Sequence, residues 1–156
     1  MKIERVSPHY LFARPEFDRL CRQYTEESGI KLWGDSKVCI EDYRDTKMLA
    51  AFEEGALVGF ACLRLTKHPH YAGKVLSILD AIYVEPSARK GRAGIQLINK
   101  VKALAASFGA DTMLMSAPFG SRLARLLRFI LKGDPVSEVF CVGTGKPNTG
   151  GKQSGG

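Results

Sequence analysis

The sequence predicts an α/β (α+β) protein: a mixed, mostly antiparallel central sheet flanked by helices. Three observations predict it. Lys47 to Phe52 and Ala56 to Leu65 are apolar runs joined by Glu53-Glu54-Gly55, the signal of an antiparallel hairpin. Val75 to Val84 is a further apolar run rich in β-branched residues, ended by Pro86, and it reads as a buried strand. From Ile95 the apolar residues recur at helical spacing, and Thr112 to Ser116 then reads as another short buried strand. A helix between two strands of one sheet makes those strands parallel, so the sheet is mixed.

Taken in order, Met1 to Val6 alternates as a first strand and Pro8 closes it. Pro15 suits the first turn of a helix whose stripe is Phe17, Leu20, Cys21 and Tyr24, ending at Ser28-Gly29. A weaker second helix is expected within residues 35–46. The hairpin follows, with Val58-Gly59-Phe60-Ala61 on its return strand, and then a loop, His68-Pro69-His70-Tyr71-Ala72-Gly73. Ile95, Ile98, Val101, Leu104, Ala105 and Phe108 form the inward stripe of the crossover helix, which Gly109 stops. Ala117-Pro118-Phe119-Gly120 breaks the chain before a helix from about Ser121, with Leu123, Leu126, Leu127, Ile130 and Leu131 inward. Val136 to Val142 is a last strand. Residues 1–142 are therefore one domain, and 143–156, Gly-rich and polar, read as a flexible tail.

Composition narrows the function. The formal net charge of +7 is uneven: residues 1–60 hold nine Lys/Arg against eleven Asp/Glu, whereas 86–132 hold nine against the single acid Asp111. A polyanionic ligand or a nucleic acid fits that basic half, although no nucleic-acid motif accompanies it. No run approaches the roughly 20 apolar residues of a membrane span. With no signal-peptide pattern, a cytoplasmic protein without a membrane partner is expected. Cys21, Cys39, Cys62 and Cys141 are widely spaced without a Cys-x-x-Cys, which reads as buried free thiols and no metal site.

Between the strand ending at Val84 and the helix stripe lies Arg89-Lys90-Gly91-Arg92-Ala93-Gly94. A basic, Gly-containing turn opening a helix presents backbone N–H groups and a partial positive charge to an anion, phosphate or diphosphate above all. The Gly-x-x-x-x-Gly-Lys-Ser/Thr and Gly-x-Gly-x-x-Gly motifs are both absent. The stretch resembles instead the acyl-CoA-binding segment of the GNAT acetyltransferase superfamily, Val-x-Pro-x-x-Arg/Gln-x-x-Gly-x-Gly/Ala. Val84, Pro86, Arg89 and Gly94 fall in register, and Arg92 stands where the motif has its first glycine. The element order extends the resemblance over roughly residues 1–142.

The resemblance implies acetyl-CoA as cofactor and direct acetyl transfer to an amine in a ternary complex. It implies that the two central strands splay around the pantetheine arm. Backbone groups of Ile82, Tyr83 and Val84 would hold that arm, and backbone N–H groups of Arg89, Lys90, Gly91, Arg92, Ala93 and Gly94 the diphosphate. Ser116 is a nearby hydroxyl, set against a packing or capping role, and Arg122 or Arg125 is a partner for the 3′-phosphate, set against a solvated helix face. Asp80, the one acid inside the central strand, is the candidate base, with an ion-paired structural carboxylate as the equal alternative, and Glu85 is the weaker candidate. Trp33, His68 and His70 are candidate substrate-pocket residues, set against core packing for Trp33 and an exposed loop for the histidines. Many family members protonate the leaving thiolate with a Tyr after the fifth strand, but the five tyrosines here end at Tyr83. That departure keeps open a GNAT-fold protein that acts by binding a partner protein and, further off, a nucleic-acid-binding module. A homodimer also stays open.

Overall fold

The computed structural model describes residues 1–28, 38–131 and 135–136. The chain runs β1 (Lys2–Val6), α1 (Pro8–Phe12), α2 (Pro15–Ser28), a 3-10 turn (Ile40–Tyr43), β2 (Lys47–Glu53), β3 (Ala56–Lys67) and β4 (Val75–Val84). A 3-10 turn (Pro86–Ala88), α3 (Ala93–Ser107), β5 (Thr112–Met115) and α4 (Arg122–Leu131) complete it. The strands lie in sequence order, with β1 to β4 successively antiparallel and β4 parallel to β5. No helix among the described residues is long and apolar enough to cross a membrane.

Each sheet face covers its own core. Leu11, Phe17, Leu20 and Cys21 from α1 and α2 pack with Met48, Ala50, Phe60, Cys62 and Tyr83. On the other face Leu97, Val101 and Ala105 of α3 pack with Leu49, Ala51, Ala61, Leu63, Leu79 and Val84. The alternation along β2 and β3 thus sends successive side chains to opposite layers, and both layers are apolar.

Two irregularities position the site. Pairing of β4 with β5 covers only Leu76↔Thr112 to Leu79↔Met115, so the strands part at Asp80. On the other edge of β4, Cys62 faces Ala81 and Leu63 faces Leu79, leaving Asp80 as the extra residue of a β-bulge. Gly59 is required where β3 crosses the end of β4: a Cβ there would lie 2.6 Å from the Tyr83 carbonyl oxygen.

Several local expectations are corrected. Pro8 does not merely close β1; it opens α1 behind Ser7, whose side chain accepts from the Tyr10 N–H, since proline suits the first helical turn. Among the described residues of 35–46, the expected weak second helix is the 3-10 turn Ile40–Tyr43, and 35–37 lie outside the described residues. β5 is half exposed rather than buried, because only alternate residues face α3. Cys21 and Cys62 are buried, whereas Cys39 is exposed, donating to the Glu41 carboxylate. Val136 lies in a bend. The rest of the expected last strand, Trp33, Cys141 and the 143–156 tail lie outside the described residues.

Candidate active site

The parting of β4 from β5 opens a cleft of about 660 Å³. One wall is the β4 edge from Leu79 to Val84, and another is the first turns of α3, including Gly94, Ile95 and Ile98. The β5–α4 loop and the start of α4 supply Ser116, Phe119 and Arg122, and α2 supplies Tyr24 and Glu27.

At one end of the cleft lies the basic turn. Gly91 takes φ +60°, the left-handed conformation that lets the chain reverse. Arg92, at the N-cap of α3, has φ −101° and ψ 12°, open to any residue, so an arginine at the motif's glycine position costs no backbone strain. Its side chain makes no capping bond, and the first turn of α3 contains no acid. The Arg89 N–H is spent on the Pro86 carbonyl, 3.3 Å away, which corrects its place in the expected set of anion donors. From Lys90 to Arg92 no N–H finds a partner among the described residues. Those of Ala93, Gly94 and Ile95 lie in the first helical turn and have no intrahelical acceptor. Six consecutive donors, Lys90 to Ile95, are therefore without a backbone partner among the described residues, at the positive end of a helix.

The Arg89 side chain turns inward. Its Nε donates to the Val84 carbonyl at 2.6 Å, and its Nη2 donates to both Glu27 carboxylate oxygens at 2.8 Å. The Tyr83 hydroxyl donates to the same carboxylate at 3.0 Å. Partial burial works to raise the Glu27 pKa, but the Arg89 and Tyr83 hydrogen bonds outweigh it and hold the carboxyl below its usual range. Burial, with the bond to Glu27, pushes the Tyr83 phenol up to about 12. Arg89 thus ties the basic turn to the end of α2, and the Val84 carbonyl, expected to face a ligand, is already occupied.

At the other end of the cleft, where the strands part, stands Asp80. Both its oxygens are engaged by Arg64, at 2.6 Å from Nε and 2.8 Å from Nη2. This is the ion pair weighed as the alternative to a base, though Asp80 keeps its place on the cleft wall. The Tyr24 hydroxyl donates to the Asp80 carbonyl at 3.3 Å. Asp111, the lone acid of the basic half, sits at the far end of β4, accepting from Lys74 Nζ and the Val75 N–H at 2.8 Å each.

The other candidates divide. Ile82, Tyr83, Val84, Arg89, Gly91, Gly94, Ser116 and Arg122 line the cleft. Lys90 and Arg92 are exposed on the turn, and Ala93 is buried beneath it. Glu85 is outside the cleft: Arg19 holds it at 2.7 Å and lowers its pKa, making it a poor base. His68 and His70 sit in the β3–β4 loop, His68 against Tyr71 at 4.6 Å between centroids, and neither reaches the cleft. Tyr24, Glu27 and Arg64 were missed. For the first two a signal existed: Tyr24, Glu27 and Ser28 continue the apolar stripe of α2, so its polar end must face something other than core.

The family model of the acetyltransferase (GNAT) family matches residues 11–129. The chain belongs to that family. As a GNAT protein it is an acyltransferase. Its fold is that of a ribosomal-protein-alanine N-acetyltransferase from Brucella melitensis biovar Abortus 2308, at 19% identity and TM-score 0.68, over 91% of this chain and 99% of that one. An aminoglycoside acetyltransferase from an uncultured soil metagenomic sample gives 18% identity and TM-score 0.71, over 91% and 97%. An aminoglycoside N-acetyltransferase in complex with CoA gives 16% and 0.63, over 90% and 97%. Comparison with curated proteins found no match.

Proposed function

We propose that this GNAT protein transfers an acetyl group from acetyl-CoA directly to an amine acceptor within a ternary complex. The observation that carries the reading is the run of six unpartnered N–H donors, Lys90 to Ile95, at the mouth of the cleft. A diphosphate matches that row in charge and hydrogen-bonding demand. The residues present fit the rest of CoA: the free β4 edge offers backbone groups to the amides of the arm, Ile95 and Ile98 offer apolar surface, and the exposed Lys90 and Arg92 side chains add positive charge. CoA supplies the thioester, an activated acyl group. The CoA held by a protein of the same fold agrees with this assignment.

The chain's own groups then have distinct tasks. A backbone N–H of the free β4 edge stabilises negative charge on the acyl oxygen as the acceptor nitrogen attacks. Asp80 takes the acceptor's proton, with Arg64 giving way. Arg64 is 57% exposed at its side chain, so the base role requires its two-pronged grip on Asp80 to open toward solvent. Glu85 has no part. The test is release of free CoA thiol from acetyl-CoA with a panel of amines. Saturable, amine-dependent release is expected, reduced about 100-fold in Asp80→Asn, the usual scale of general-base catalysis. Full activity in that variant would remove Asp80 from the mechanism, and release indifferent to every amine would overturn the transferase reading.

A further inference from the structure

We propose that the Tyr24 hydroxyl is the hydrogen-bond donor to the leaving sulfur, a role that rests on the acetyl-CoA reading above. The place of its oxygen carries the proposal. Pairing of β4 with β5 ends at Leu79↔Met115, and the next residue, Asp80, is the bulge residue left without a counterpart on β3. Asp80 is therefore the apex of the opening, and the Tyr24 hydroxyl rests on its carbonyl. The free β4 edge between the apex and the anion turn is five residues, Asp80 to Val84, or about 17 Å of strand. An arm held at the turn by its diphosphate and extended along this edge would bring its acyl end to the apex.

The bond that Tyr24 makes there is easily exchanged. At 3.3 Å it is well beyond the roughly 2.7–2.8 Å preferred by O–H···O bonds. The ring itself is fixed, edge-on to Phe60 and Tyr83 at centroid distances of 6.2 and 6.3 Å. A small rotation of the hydroxyl can thus change partner without moving the side chain. Burial, aided by the charge of Asp80, raises the phenol's pKa, which keeps the proton in place through the neutral range.

The other cleft hydroxyls are committed or badly placed. Tyr83 donates to Glu27, and Ser28 donates to the Thr25 carbonyl at 3.0 Å. Ser121 keeps its O–H proton, but its oxygen is held at the start of α4 by the Ala124 N–H at 3.1 Å, away from the β4 apex. Ser116 is exposed, on the residue after β5.

The step balances simply. The acceptor nitrogen bonds to the acyl carbon, and the carbon–sulfur bond breaks with its electron pair going to sulfur. The nitrogen's proton goes to Asp80 and then to solvent, and the thiolate takes one proton from solvent. Tyr24 keeps its own proton throughout, because an ordinary phenol, pKa about 10, is a weaker acid than an ordinary thiol, about 8.5. Its hydrogen bond stabilises the thiolate until solvent protonates it.

The test reads the thiol of CoA bound to the protein, by its thiolate ultraviolet absorbance as a function of pH, with no acceptor present. Bound to the unsubstituted protein, the thiol should titrate below free CoA. In Tyr24→Phe, which keeps the ring contacts, it should titrate about one unit higher than in the unsubstituted protein, the scale of a hydrogen bond to a charged group. Turnover should fall about 10–100-fold while CoA affinity stays within about twofold. A bound thiol that titrates with free CoA in the unsubstituted protein overturns the proposal without reference to any variant. Equal values in the two proteins overturn it for Tyr24 while the acetyl-CoA reading stands. Failure of the unsubstituted protein to bind CoA overturns both.

Discussion

Helices α3 and α4 begin on the same cleft and both follow strands of the parallel pair, yet their first turns are finished differently. α4 is closed: Ser121 accepts the Ala124 N–H at 3.1 Å, as an N-cap serine does. α3 is open: Arg92 at its N-cap makes no side-chain bond, and the preceding turn adds three more N–H groups without a partner among the described residues, while neither helix has an acid in its first turn. A helix start left uncapped forgoes about 1 kcal/mol. Where one of two neighbouring helices forgoes it and the other does not, the open one is the place that the proposed function assigns to an external anion.

The sharpest way to break this contrast is to close α3. Arg92→Asp supplies a capping carboxylate at a backbone conformation that tolerates it. The expected result, in calorimetry, is about 100-fold weaker acetyl-CoA binding, equivalent to about 2.7 kcal/mol. Thermal stability should hold or rise, the carboxylate gaining what the N-cap lacked. Loss of stability and affinity together would mean that the turn had simply been damaged.

Next comes the wall that the open helix faces. Gly59→Ala places a Cβ 2.6 Å from the Tyr83 carbonyl oxygen, a backbone atom that cannot step aside. Denaturant unfolding should show a loss of about 2 kcal/mol. The converse experiment is to open α4. Ser121→Ala should cost about 1 kcal/mol of stability and change acetyl-CoA affinity far less than Arg92→Asp does. Equal effects on affinity would erase the distinction between the two helices.

The smallest effect concerns the tether between α2 and the open turn. The folded-state pKa of Glu27 is depressed by Arg89 and Tyr83, so its contribution is present above the unfolded value, about 4.3. It is lost as pH falls through the folded value below that. The stability difference between the unsubstituted protein and Glu27→Gln should be constant from neutral pH down to about 5 and shrink below about 4. A difference that grows on acidification would contradict the tether.

Much of this architecture was legible in the residues, because hydrophobic period and glycine placement are local signals. The hairpin around Gly55, the strand to Val84, the helix stopped at Gly109 and the GNAT segment all rest on such signals. Pro8 misled because a proline ends one element and begins the next with equal ease. The site was legible only where backbone does the work, as at the basic turn. What side chains do across the sheet was not. The Arg64 grip on Asp80 joins neighbouring strands, and the Arg89–Glu27 bond joins segments 62 residues apart. Nothing in either local sequence announces its partner, and Glu85 looked available as a base until Arg19, 66 residues away, was seen to hold it.

The most direct test of the open helix start is calorimetric titration of the full-length protein with acetyl-CoA beside S-acetylpantetheine, which has the same arm and thioester but no diphosphate. Saturable binding of acetyl-CoA, with S-acetylpantetheine weaker by about 100-fold or more (about 2.7 kcal/mol), is the expected result. Equal affinity for the two, or no binding of acetyl-CoA, would contradict the assignment of the six open N–H groups to a diphosphate.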